Sequence, residues 1–237
     1  MSRKSSNASS YLEHPRLSLE KVCYLEDEEP VLQDVSFTVG AGEMLALIAS
    51  PSANEALLNL ISGFADPLSG TIEIEGQNLG DMNPARRAWL RREKIGIVRD
   101  GVNLVESLTV AENIALSYEL SGMGHAQALS RAGVALANIR AFEIGDCYPQ
   151  QLDRYQQLKV AVARAGLGGA KLILALEPTA SLKAKAEQNI FSLLRTQVEK
   201  GSSCLLFTTR QDLAATADRV VNNSLEQVSC GLGDKSA

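Results

Sequence analysis

Apolar residues recur along this chain in two rhythms. Leu17 to Tyr24 and Val31 to Val39 alternate apolar with polar, which predicts two half-buried strands around a charged turn, Glu26 to Glu29. The unbroken apolar runs Met44 to Ile48, Leu172 to Leu176 and Cys204 to Thr208 predict strands buried on both faces, as in a parallel sheet. Thr71 to Gly76, Ile95 to Val98 and Arg219 to Val221 complete the strands. Three- and four-residue apolar spacing predicts helices at Ala56 to Gly63, Pro84 to Lys94, Val110 to Leu120, Ala126 to Phe142, Leu152 to Ala165 and Leu182 to Lys200, with a short one at Leu213 to Asp218. Strands and helices alternating around a helical insertion predict an α/β core with a parallel sheet covered on both faces.

The chain has 237 residues, 45% hydrophobic and 22% charged, which suits a folded domain with a substantial core. A net charge of -5 gives no basic field for nucleic acid. No apolar run approaches the ~20 residues that span a bilayer, and Met1 to Ser10 is polar where a secretory signal is apolar, so cytoplasmic residence is expected. Cys23, Cys147, Cys204 and Cys230 follow no metal-ligand spacing and read as reduced thiols. His14 and His125 stand apart, and no metal site is expected. The basic run Arg86, Arg87, Arg91, Arg92 and Lys94 around Trp89 reads as a solvated helix face.

Seven phrases stand in an informative order: Leu58 to Gly63 (LNLISG), Ser69 to Ile72 (SGTI), Arg91 to Val98 (RREKIGIV), Leu108 to Asn113 (LTVAEN), Tyr148 to Leu152 (YPQQL), Val160 to Ala165 (VAVARA) and Leu172 to Thr179 (LILALEPT). In order and spacing they resemble the ATP-binding subunits of ABC transporters, closest to the branch serving macrolide export, lipoprotein release and the cell-division permease complex. The resemblance spans roughly residues 17 to 223. It implies a P-loop NTPase-like ABC ATPase core (17–98 and 166–227) with a small antiparallel β subdomain and a helical lobe (99–165), between tails at 1–16 and 228–237. It also implies ATP and magnesium as ligands, a homo- or heterodimer through an ABC-type interface, and an integral-membrane permease as partner. On that resemblance the chain would lie peripherally on the inner face of the cell membrane.

The positions that handle phosphate depart from the family pattern. A phosphate loop reads GxxxxGK[S/T]: the glycines let backbone approach phosphate, the lysine neutralises it, and the hydroxyl binds magnesium. Here Ile48 to Glu55 reads IASPSANE, with Ile48 and Ala53 for the glycines, Asn54 for the lysine and Glu55 for the hydroxyl. Ser52 and Glu55 have capping-box spacing, so Glu55 is expected to close the helix end that phosphate would occupy. Leu176 stands for the magnesium-binding aspartate, Asp100 for the glutamine after the preceding strand, Thr209 for the histidine, and Lys183 for the aspartate at the dimer seam. LSGGQ appears as Leu152, Asp153, Arg154, Tyr155 and Gln156.

Glu177 alone matches the catalytic base. Tyr24, near where the family stacks an aromatic on adenine, and Ser50 and Ser52 are the candidate nucleotide-binding residues. Tyr24 reads more readily as an edge-strand aromatic. Asn103, Leu104, Leu108 and Thr109 keep the look of the family's permease-docking groove, and they read equally as a joint between lobes. The expectation is a catalytically inactive pseudo-ATPase with no cofactor, docked to a permease as a structural or regulatory subunit. The alternatives are a soluble interaction module detached from transport, or an ATPase that still binds or hydrolyses ATP with an unusual site.

Overall fold

A computed structural model describes residues 15–100, 104–167 and 169–222. Most of the expected tails, 1–16 and 228–237, lies outside them; at the described edge Arg16 donates its amide to the Val39 carbonyl (2.7 Å).

The charged turn forms the hairpin between β1 (Leu17–Glu26) and β2 (Glu29–Val39). Asp27 and Glu28 both take positive φ (50° and 68°), as a two-residue hairpin matching the strand twist requires. β4 (Ser69–Ile74) pairs with the other edge of β1, and β5 (Gln77–Asn78) completes an antiparallel sheet of order β2-β1-β4-β5. The second sheet is parallel in the order β6-β7-β8-β3-β9, from β6 (Ile95–Arg99), β7 (Leu172–Leu176), β8 (Ser203–Thr208), β3 (Met44–Ile48) and β9 (Arg219–Asn222). The helices before β7 are α1 (Pro51–Ile61), α2 (Pro84–Lys94), α3 (Val110–Leu120), α4 (His125–Asn138) and α5 (Arg154–Ala165). The longest, α6 (Ala184–Glu199), follows β7, and the short α7 (Gln211–Ala214) follows β8.

Period-two alternation sorts the parallel strands onto two cores. Leu45, Leu47, Leu174, Leu205 and Phe207 face α1 and the antiparallel sheet. Met44, Ala46, Ile173, Ala175 and Leu206 face α5 and α6, joined there by Leu158, Val162, Ile190 and Leu194. α3, α4 and the far side of α5 enclose a third cluster around Val110, Ile114, Leu136 and Val160, the helical lobe. The lobe sits close because β6 carries Gly96: a Cβ there would lie 2.1 Å from the Ala165 carbonyl oxygen.

Helix boundaries move from their sequence positions, α7 to Gln211–Ala214 among them, and three do so for a visible local reason. α1 begins at Pro51 and not Ala56, because Ser50 caps it and proline is favoured at the first helical position. α4 stops at Asn138, since Arg140 turns left-handed (φ 52°), and Phe142–Ile144 forms a separate 3-10 turn. α5 begins at Arg154 because Asp153 is its cap. No helix among the described residues is long and apolar enough to cross a membrane.

Candidate functional site

The parallel strands β3, β6, β7 and β8 all end on one side of the molecule, where ligands of open α/β sheets bind. α1 points its N-terminus there. Ser50 caps it in extended conformation (φ −62°, ψ 156°), its Oγ accepting from the Ala53 amide (3.2 Å) and lying 3.1 Å from Ser52 Oγ. The capping box expected of Ser52 and Glu55 does not form. Pro51 fixes φ and takes the first helical position, which moves the cap back to Ser50 and leaves Glu55 in the second turn, beyond reach of the cap amide. Glu55 pairs instead across the cleft with Arg99 at the end of β6 (3.1 Å). Asn54 is fully buried, donating Nδ2 to the Ala49 carbonyl (3.3 Å), while its Oδ1 has no partner.

A carboxylate does close a helix end here, but the helix is α5. Asp153 accepts from the Gln156 amide (2.8 Å) and Gln156 accepts from the Asp153 amide (3.0 Å), a complete capping box. The next residue, Arg154, reaches back to the loop after β6. Its Nη2 and Nε donate to Asp100 Oδ1 (2.8 and 3.2 Å), which also accepts from Ser181 Oγ (2.7 Å). The lobe helix, the β6 loop and the β7 loop thus share one carboxylate oxygen.

Glu177 follows β7 in left-handed conformation (φ 38°). Its amide donates to the Phe207 carbonyl (3.0 Å), and its carboxylate accepts from the Thr209 amide and from Thr208 Oγ1 (3.2 Å). Glu177, Leu176, Asp100, Arg99, Glu55, Asn54 and Pro51 line a cavity of about 240 Å³. Beyond it, buried Thr179 donates to Glu187 (3.1 Å), and Glu187 pairs with Arg210 (2.8 Å). Arg210 also pairs with Asp212, whose carboxylate holds the guanidinium above its ordinary pKa.

The other sequence candidates are spread more widely. Tyr24 is half-buried on β1, opposite Leu32 and packed on the core under the antiparallel sheet. Asn103 lies outside the described residues. Leu104 is buried in the helical-lobe core and Leu108 is half-buried. Thr109 caps α3 in a reciprocal box with Glu112 (2.7 Å from the Thr109 amide to Glu112 Oε2). Buried Asn113 ties this segment together, donating to the carbonyls of Val105, Leu108 and Thr109 (3.0 Å each). The basic run of α2 is spent within the fold. Arg86 stacks on Trp89 (3.9 Å to the ring centre) and Arg87 pairs with Asp66 (2.7 Å). Arg91 covers Phe64 and donates to the Ser62 and Gly63 carbonyls at the end of α1 (3.1 and 3.2 Å).

Sequence reasoning missed Arg99, Ser181, Glu187 and Arg210. Arg99 and Ser181 meet partners far off in the chain, as with Arg99 and Glu55, 44 positions apart, and Glu187 and Arg210 meet 23 positions apart.

Residues 32–180 match the family model described as ABC transporter. Among curated proteins, the chain is 31% identical over 212 residues to "Macrolide export ATP-binding/permease protein MacB 1" of Yersinia pestis bv. Antiqua, covering 89% of this chain and 33% of that protein. It is also 31% identical over 197 residues to the MacB of Salmonella choleraesuis, covering 83% of this chain and 30% of the relative. The chain therefore spans about a third of the length of these relatives. The dimeric ATP-binding cassette MJ0796, solved in a post-hydrolysis state with ADP and Pi, superposes with a TM-score of 0.77 at 27% identity, over 87% of this chain and 93% of the other. On the family match and the shared two-sheet architecture, this chain belongs to the ABC transporter family and is built as its ATP-binding domain.

Proposed function

We propose that this chain is a non-hydrolysing ABC subunit that docks, as a homo- or heterodimer, to a membrane permease at the cytoplasmic face and acts there as a structural or regulatory partner. The observation carrying this reading is the tip of α1. Asn54 stands where the phosphate-loop lysine would be and turns inward to Ala49, and Glu55 stands where the magnesium-binding hydroxyl would be and holds Arg99. ATP and magnesium do not fit this set. The first turn of α1 offers no cation, Leu176 offers no metal ligand, and a second phosphate-binding helix end, that of α5, is filled by Asp153. The Glu55 carboxylate takes up Arg99, a cation lining the cleft, and stands where the hydroxyl that binds magnesium would be. A site that can hold neither metal nor phosphate would leave Glu177 no nucleophile to activate.

The permease enters from the relatives, which are named for an ATP-binding and a permease part together. The exposed residues Val105 and Tyr148 beside the Asn113-tied segment leave a partner a surface to meet. Phosphate release is measured on the purified chain, alone and co-expressed with a candidate permease, against Glu177→Gln. The expected result is co-purification with the permease and no turnover above the variant. Turnover that vanishes in Glu177→Gln overturns the reading.

A further inference from the structure

We infer that the cavity enclosed by α3, α4, α5 and α6 is a binding site for a small carboxylate with an apolar stem. It stands apart from the α1 cleft, and its occupancy does not depend on whether ATP binds there.

The cavity holds about 250 Å³ and lies where the helical lobe meets α6 of the core. Its lining carries two cations, Arg131 on α4 and Lys200 at the end of α6, and no acid. Neither cation has an ion pair among the described residues. α4 contains no Asp or Glu, and Glu199, beside Lys200 in the chain, lines a different cavity. Two positive charges are therefore left uncompensated.

Gln197 supplies an independent observation. It is 8% exposed, yet its side-chain amide makes no hydrogen bond among the described residues. The amide borders the cavity, and its Oε1 faces Gly166, another lining residue, where a Cβ would lie 2.1 Å away. Buried amides without a partner are rare and call for one. Tyr118 adds a phenol that burial holds above its ordinary pKa against the pull of Arg131, so it is an O–H donor at neutral pH. Two cations, an amide N–H and a phenol O–H complement a single carboxylate, and the planar Arg131 fork suits its two oxygens. Ile139, Ala163 and Leu167 give an apolar wall for the stem. About 250 Å³ is below the ~300 Å³ at which drug-sized pockets begin, so the stem is short.

The test is calorimetric titration of the full chain with sodium hexanoate, with hexanol and sodium phosphate titrated in parallel at matched ionic strength. Hexanol keeps the stem without the charge, and phosphate keeps the charge without the stem. Expected are saturable binding of hexanoate and binding of the other two weaker by about tenfold or more, the usual size for a hydrogen bond to a charged group. Arg131→Gln and Gln197→Met, which keeps the length of the side chain but not its amide, each weaken hexanoate by a similar factor, with thermal melting verifying that both are folded. Arg131 is exposed, so its variant decides the matter if Gln197→Met melts early. Absence of saturation, hexanol or phosphate binding as tightly as hexanoate, or hexanoate affinity unchanged in either folded variant overturns the site.

Discussion

Glu112 sits three residues past Thr109, and its carboxylate accepts from both the Thr109 amide and the Thr109 hydroxyl (2.7 and 2.9 Å). Those bonds favour the ionised form, the backbone bond most, and hold the carboxyl below its ordinary value of 4.5. A depressed folded-state pKa gives stability that is present above the unfolded value and is lost as pH falls through the folded one. Glu112→Gln is therefore less stable than the parent in urea denaturation at pH 7, and the gap narrows as pH drops below about 4.5. A gap that persists unchanged in acid would show that the cap does not depend on charge. Cys204 shows the opposite case: complete burial pushes its thiol up to about 12, which leaves little thiolate at neutral pH. The Thr109–Glu112 box lies within one turn, yet Thr109 was read from sequence only for docking or for joining the lobes. The Ser52–Glu55 spacing has the same form and failed, because Pro51 competed for the start of the helix.

At the scale of elements, Arg154 decides how the helical lobe meets the core. It leaves the capped tip of α5 and shares Asp100 with Ser181, joining segments 54 and 81 positions apart. Both members of the pair keep about a third of their side-chain surface exposed (32% and 31%), so solvent screens it and its worth is about 1 kcal/mol. Arg154→Ala and Asp100→Asn should each cost about that much, and the double variant no more than either alone, since both remove one interaction. Denaturant titration of the four proteins checks it; additive losses would mean the two side chains act separately. Strands such as Met44–Ile48 and Leu172–Leu176 were legible in the sequence because their apolar runs declare burial on both faces. The Arg154 and Arg99 pairs were not, because no local pattern carries a contact set by how the strands are ordered in the sheet.

The molecule as a whole hinges on the turn between β2 and β3, where the chain passes from one sheet to the other. Glu43, in that turn, is 1% exposed. Its carboxylate accepts from the Gly40 amide (2.6 Å) and from Arg219 Nε on β9 (2.7 Å), while Arg219 also donates to the Thr38 carbonyl on β2. Ser203, at the start of β8, donates to the Gly40 carbonyl and accepts from the Gly42 amide (2.8 and 3.0 Å). One guanidinium therefore holds the last strand of the parallel sheet to an edge strand of the antiparallel one. Removing it strands a carboxylate that water cannot reach, which is the expensive way to break a buried pair. Arg219→Met should cost about 2–4 kcal/mol in chemical denaturation, less than the most deeply buried pairs because the arginine side chain stays 37% exposed. Adding Glu43→Gln removes the stranded charge and should restore part of that loss; a double variant weaker than the single one would show that Glu43 stabilises the turn by its own bonds.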